Sequence, residues 1–235
     1  MKRILLYILL FFASIMSLQA KVYVVCVGIA DYPGTERDLR VSDNDARAIA
    51  KVFNATKDAY VSVLVNRDAT QSALLSSMHT VFEDAQSNDA VILYFSGHGT
   101  PGALVCYDGK LTYQHVFKML KGCKANRKMI IADACYAGKM RITSRQNTNY
   151  NSQSVMLFLS SRTNETSRET KFKNSLFTIF LERGLRGGAD KNRDRQITAR
   201  ELYDFVHSGV VEASGNKQHP VMWGKFDNNM TIIKW

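Results

Sequence analysis

A histidine and a cysteine, each just behind a short apolar run and each flanked by glycine, are the residues of this 235-residue chain best placed for covalent chemistry. His98 lies in Ser96-Gly97-His98-Gly99, after the run at residues 90–95 (AVILYF). Cys135 lies in Asp133-Ala134-Cys135-Tyr136-Ala137-Gly138, after the run at residues 129–132 (MIIA). A thiolate is the attacking species, and a neighbouring imidazole draws the thiol pKa down into the range of about 3.5–7.5. Together the two supply a nucleophile and its base. The oxyanion formed on attack needs preorganised donors, for which the N–H groups of Gly99 and Cys135 are the candidates, each worth about 2.7–4 kcal/mol when well placed. A lone Cys or His at a strand end is ordinarily structural; the pairing of two such motifs makes the dyad. His79, His115, His207 and His219 lack such a setting.

The elements that must position this pair follow from hydrophobic pattern. Short, unalternating runs rich in Val and Ile read as strands buried on both faces, as in a parallel sheet. Such runs occupy residues 22–29, 60–65, 90–95, 129–132 and 155–159. Amphipathic helices are expected between them: residues 43–53 with Ser42 or Asp43 as N-cap, and 71–86 capped by Thr70. Further helices are expected at residues 113–120, 175–185 and 199–206, and a hairpin at 103–112 turning at Asp108-Gly109. Strands alternating with helices make an α/β fold with a parallel sheet covered on both faces. In such sheets reacting groups gather beyond the carboxyl ends of the strands. His98 and Cys135, 37 positions apart, can meet there.

Residues 1–20 stand apart from this pattern. Lys2 and Arg3 precede an apolar run at residues 4–18, and the small Ala20 offers a cleavage point, the plan of a secretory signal. The run is short for a stable span. The protein is therefore expected to be exported, periplasmic or secreted, with an uncleaved anchor as the lesser alternative and no stable membrane span once the signal is removed. Residues 21–235 are expected to form one domain. Removing Lys2 and Arg3 takes the formal charge from +10 to +8. The excess is scattered, without the aromatic and basic interleaving of a nucleic-acid surface, so no nucleic-acid partner is expected. Cys26 lies in a strand run and reads as a buried thiol, while Cys106 and Cys123 could pair in an oxidising compartment.

The motifs resemble those of the caspase-like cysteine peptidases, the group of caspases, metacaspases and paracaspases. The likeness rests on strand-SGHG and strand-DACYAG, an early strand, and the Ser42-Asp43-Asn44-Asp45-Ala46 segment. It extends over most of residues 21–235, with Ser160-Ser161, Glu165, Glu169, Phe177-Thr178, Gly187 and Glu201-Leu202 in support. The resemblance implies a three-layer α/β/α sandwich with a mainly parallel sheet, a Cys135–His98 dyad, no required cofactor, and protein or peptide substrates. By likeness to metacaspases, Asp45, Asp133 and Ser96 would line the pocket for the residue before the cut. A carboxylate pair accepts a guanidinium through charge-assisted bonds, so cleavage after Arg or Lys is expected. Ser42 departs from the Cys of many metacaspases and alters pocket shape more than charge. Asp45 is also well placed to complement a helix N-terminus. Arg162 or Arg168 would be the residues to recruit for the disfavoured acidic specificity. Lys139, Arg141 and Arg145, in a polar stretch after Cys135, become candidate self-cleavage sites.

A second constellation lies at residues 190–201. Asp190, Asn192 and Asp194 occupy the first three ligand positions of a 12-residue EF-hand loop. Gln196 would offer its backbone carbonyl and Glu201 the closing carboxylate for Ca2+. Arg195 replaces the expected glycine, and Lys191, Arg193 and Arg195 weaken the attraction for a dication. The plainer reading is a polar turn into a helix capped by Thr198. An inactive caspase-like binding scaffold, organised by calcium at this loop, is the alternative to a peptidase.

Overall fold

The apolar runs fold as the inner strands of one sheet. In the computed structural model, which describes residues 20–134, 155–161 and 173–235, β1 (Val22–Gly28) is buried along its whole length. The chain continues through α1 (Ser42–Asn54), β2 (Ala59–Val65), α2 (Gln71–Phe82) and β3 (Ala90–Gly97). A small antiparallel sheet follows, made of β4 (Gly99–Thr100), β5 (Ala103–Cys106) and β6 (Gly109–Thr112). Then come α3 (Tyr113–Gly122), β7 (Arg127–Ala134), β8 (Val155–Leu159) and α4 (Leu176–Arg183). The last elements are β9 (Gln196–Thr198), α5 (Ala199–Ala213), β10 (Val221–Trp223) and β11 (Thr231–Lys234).

The six-stranded sheet has the order β10-β8-β7-β3-β1-β2. All its neighbours run parallel except β10, which runs antiparallel to β8 at one edge. Successive side chains of a strand point to opposite faces, and β1 serves two cores in this way. Tyr23, Val25 and Val27 pack with Leu74, Met78 and Phe82 of α2 and Val116, Phe117 and Leu120 of α3. Val22, Val24 and Cys26 pack with α1, α4 and α5, through residues such as Ile49, Phe53, Leu181, Leu202 and Val206. Helices thus cover both faces, giving the three-layer sandwich. Each fully buried aliphatic side chain contributes about 1.5–3 kcal/mol of transfer free energy, which is why the doubly covered strands show no polar alternation. Among the described residues no helix is long and apolar enough to cross a membrane.

Several local expectations are corrected. The residue preceding α1 is Val41, without a side-chain cap, and Ser42 is already helical and buried. The close packing of α1 on β1 explains this: a Cβ on Gly28 would stand 2.2 Å from the Ser42 carbonyl oxygen. Only glycine lets the helix start there. The turn of the β5–β6 hairpin is Tyr107-Asp108, one residue earlier than expected, since Cys106 pairs with Gly109. Gly109 itself opens β6 at φ 145°. Cys106 and Cys123 are not joined: both are free thiols, and Cys123 donates to the Phe82 carbonyl at 3.6 Å. Thr70 and Thr198 do cap α2 and α5, and Ser175 caps α4.

Candidate active site

Strand register sets the site. In the β3–β7 pair, Ser96 lies opposite Asp133 and Gly97 opposite Ala134. The end of β3, just ahead of His98, and the end of β7 at Ala134 therefore lie side by side on strands about 4.7–4.9 Å apart. Cys135 itself lies outside the described residues.

Three contacts orient His98. Its ring Nε2 lies 2.7 Å from the backbone carbonyl of Arg37. A carbonyl can only accept, so Nε2 carries the proton and Nδ1 keeps the lone pair. The His98 backbone N–H donates to the Tyr32 hydroxyl at 2.9 Å, and that hydroxyl donates to the Val105 carbonyl at 3.1 Å. The Tyr32 ring also packs on the imidazole, with centroids 4.8 Å apart. Tyr32 and Arg37 belong to the loop between β1 and α1. Asn66 anchors that loop by accepting from Ala30 and Asp31, and Leu39 closes it by donating to the Ala30 carbonyl at 2.8 Å. Burial pushes the Tyr32 phenol far above its ordinary range, so it stays a neutral donor. In Tyr32→Phe the His98 N–H and the Val105 carbonyl both lose a partner; a loss of about 1–3 kcal/mol is expected, read as a lower denaturation midpoint.

Gly99 pairs with Leu104 across β4 and β5, while the His98 carbonyl accepts from the Val105 N–H. Alternation along an antiparallel ladder makes Gly99–Leu104 a non-hydrogen-bonded pair. The Gly99 N–H is therefore not engaged in that ladder.

Beside the histidine, three elements bring two carboxylates together. Asp45 comes from the first turn of α1, Asp133 from β7, and the segment before α4 closes over them. Both are buried, at 0% and 4% exposure, as are Ser96 and Ser175. Asp45 Oδ2 accepts from the Ser96 hydroxyl at 2.9 Å. Its Oδ1 accepts from the Asn174 amide side chain and the Ser175 N–H, each at 2.9 Å. The Ser175 hydroxyl donates to Asp133 in a short bond and accepts the Thr178 N–H of α4. Burial, and then the charge of Asp133, push the Asp45 carboxyl up to about 7. At neutral pH this pair is therefore poised to hold one proton in common. Under it, the buried Tyr94 hydroxyl meets Thr178 Oγ1 at 2.6 Å. Ser42 is buried on the same helix, one turn before Asp45.

The family model for the caspase domain matches residues 21–230. The chain belongs to the caspase-domain family. Solved structures bear out this fold. The caspase-domain chain resembles protein GSU0716 from Geobacter sulfurreducens with a TM-score of 0.67 at 16% identity, covering 92% of this chain and 97% of that one. It resembles caspase-1 from Spodoptera frugiperda with a TM-score of 0.65 at 15% identity, covering 89% and 88% of the two chains. A sequence comparison with curated proteins found no match.

Of the residues expected to act in this caspase domain, the structure brings together Asp45, Ser96 and Asp133, with His98 and Gly99 beyond the end of β3. Lys139, Arg141, Arg145, Arg162, Glu165, Arg168 and Glu169 lie outside the described residues, as do residues 1–19. Asn174, Ser175, Tyr32 and the Arg37 carbonyl were not singled out by sequence. Only Ser175 carried a signal, as a serine just ahead of an apolar helix, which marks a cap but not a partner for Asp133.

The loop at residues 190–201 directs its oxygens onto its own backbone. Asp190 accepts from the N–H groups of Asp194 and Arg195, and Asp194 from that of Gln196. Arg193 and Arg195 take left-handed φ values of 61° and 64°, Arg195 at the position where an EF-hand loop has glycine. Glu201 accepts from the Thr198 N–H and hydroxyl, completing the capping box of α5. Among the described residues no group of three or more His, Cys, Asp or Glu is placed to hold a metal ion.

Proposed function

We propose that this caspase-domain protein is an exported cysteine endopeptidase that cleaves after Arg or Lys, with Cys135 as nucleophile and His98 as its base. The observation that carries the reading is the buried carboxylate pair, Asp45 and Asp133, beside the end of the histidine strand. Two carboxylates in one dry pocket are costly unless a cation joins them. A guanidinium or ammonium is the group that would relieve them, whereas an acidic side chain would add a further negative charge.

The chemistry then follows in order. His98 Nδ1 takes the Cys135 proton, and the thiolate attacks the scissile carbonyl carbon. The Gly99 and Cys135 N–H groups hold the oxyanion. Collapse breaks the C–N bond; the imidazolium returns its proton to the leaving amine and a thioester remains. Water, deprotonated by His98, attacks the thioester, and the carboxylic acid product leaves as the thiol is regenerated. Arg37 holds the imidazole in the tautomer this sequence needs. Lys139, Arg141 and Arg145 would be substrates for the same pocket in self-cleavage, which mass spectrometry of active protein would reveal as a cut chain.

The test is hydrolysis of fluorogenic peptides ending in Arg, Lys, Asp or Ala by the chain and by Cys135→Ala, each with calcium and with chelator. Arg or Lys cleavage that vanishes in the variant is the expected result. Cleavage after Asp would overturn the pocket, and no cleavage under any condition would favour a binding scaffold. A rate that depends on calcium would bring the loop at residues 190–201 into the mechanism.

A further inference from the structure

The point at which the leader is expected to be cut coincides with a buried carboxylate. The small Ala20 after the apolar run puts the cut between Ala20 and Lys21. In the folded chain the Lys21 N–H donates to Asp89 Oδ1 at 2.8 Å. The other oxygen of Asp89 accepts the Gln86 N–H at 2.8 Å, and Asp89 is only 3% exposed. Lys21 is held on both sides as well: its carbonyl accepts from Ala90, and the Val22 N–H donates to the Asp58 carbonyl, each at 2.9 Å. The nitrogen that cleavage would free is therefore already fixed against a buried acid.

We propose that cleavage after Ala20 turns Lys21 N into an α-ammonium that pairs with Asp89 and locks the first strand of the sheet. As an amide, that nitrogen offers Asp89 a neutral donor. As an ammonium it keeps the same hydrogen bond and adds a full positive charge, the stronger class of bond. Lys21 is only half-buried, so its ammonium escapes the full desolvation cost of a buried ion pair while Asp89 gains a charged partner. Neither neighbouring cation takes up that hydrogen-bond position, although the Lys21 side chain and Arg127 both feel the Asp89 charge. The Lys21 side-chain Nζ lies 5.4 Å from the Tyr60 ring centroid, and Tyr23 stacks on Tyr60. Arg127 of β7 directs its guanidinium to the Asn88 and Thr231 carbonyls. Asp84 stands across the adjoining cavity, whose lining includes Lys21, Tyr23, Tyr60 and Asp89. Processing would thus tighten the fold where β1 enters between β2 and β3, at the opposite end of the strands from the candidate active site.

Two measurements test this, and neither depends on peptidase activity. First, the full chain is expressed in an exporting bacterium and the N-terminus of the recovered protein is sequenced; Lys21 is expected, and any other first residue overturns the proposal. Second, chains beginning at Lys21 and at Ala20, released from a fusion partner, are melted between about pH 5 and 10. The ammonium's pKa is raised by Asp89 above its ordinary value of about 7.7–8.0. Its stabilisation is therefore fully present below that value and is lost as pH rises through the folded pKa. The Lys21 chain is expected to melt about 2–4 °C higher at pH 6, with the gap closing in alkali and absent in Asp89→Asn. Equal melting at every pH, or a gap that persists in Asp89→Asn, overturns the proposal. Should Asp89→Asn fail to fold, NMR titration of the isotope-labelled Lys21 α-amine decides instead: a raised pKa supports the pairing and an unshifted one overturns it.

Discussion

Asp45→Asn should weaken cleavage after Arg or Lys by orders of magnitude while making the protein harder to melt. Removing one partner of a buried charged contact costs binding by about 2–5 kcal/mol, so kcat/KM for an Arg peptide should fall by about 30- to 4000-fold. The loss should appear mainly in KM, because the proposed pocket would bind a side chain remote from the scissile bond. Stability should move the other way. The Asp45 carboxyl, at about 7, lies well above the unfolded value near 3.9. Between those values the folded chain keeps a proton that the unfolded chain has lost, so Asp45 destabilises progressively as pH rises through that window. Above it that cost is present in full. Asparagine fits the same bonds: its oxygen can accept from Asn174 and the Ser175 N–H, and its amide can donate to the Ser96 hydroxyl. At pH 8 the variant should melt at least about 2–4 °C higher, and the gain should vanish near pH 4. A variant that cleaves Arg peptides as efficiently as the wild type, or that melts lower at pH 8, would contradict this account of the pair.

The same carboxyl is expected to make the proposed activity respond to pH. Below about 7 the pair keeps its proton and presents less negative charge to a cationic side chain. KM for Arg and Lys peptides is therefore expected to fall as pH rises from 6 to 8. Peptides ending in Ala, which make no ion pair, should lack that trend. Initial-rate measurements across this range would separate the pocket's titration from that of the dyad, which acts on kcat for every peptide alike.

How far the sequence revealed this site depended on whether a feature was local. β3, β7 and β8 were legible because strands buried on both faces have no polar interruptions, and β8 was bounded to the residue at Val155–Leu159. β9, β10 and β11 were not, since three or four residues carry too little periodicity, and β11 takes its partner from β9 rather than from any local pattern. Asp45 and Asp133 were found through the motifs around them. Ser175 was visible as the start of a helix, but its bond to Asp133 spans 42 residues and its N–H bond to Asp45 spans 130. Nothing local encodes such pairings. The Arg37 carbonyl is harder still, because any residue at that position offers the same backbone oxygen. Ser42 misled for a related reason: a serine ahead of an apolar helix looks like a cap, and only the contact with Gly28 makes it the first residue inside.

His98→Ala should lower kcat/KM by about 10²–10⁴-fold, the usual contribution of a positioned base. A decisive form of this experiment needs no substrate. A working dyad would draw the Cys135 thiol well below the free value of about 8.5. Alkylation by iodoacetamide should therefore reach its half-maximal rate at lower pH in the intact chain. In His98→Ala the midpoint should return towards about 8.5. Background from the other thiols is small: Cys26 and Cys106 are buried, and burial pushes the Cys106 thiol up to about 12. Cys123 is half-buried and is best replaced by serine in both chains. Identical midpoints with and without His98 would show that the two strand ends do not form a dyad, whatever the protein cleaves. A shifted midpoint in a chain that cleaves no peptide would instead place the fault in the pocket or in a missing activating cut. The chemistry of Cys135 and the choice of substrate side chain by Asp45 and Asp133 thus rest on separate measurements, and either can fail without the other.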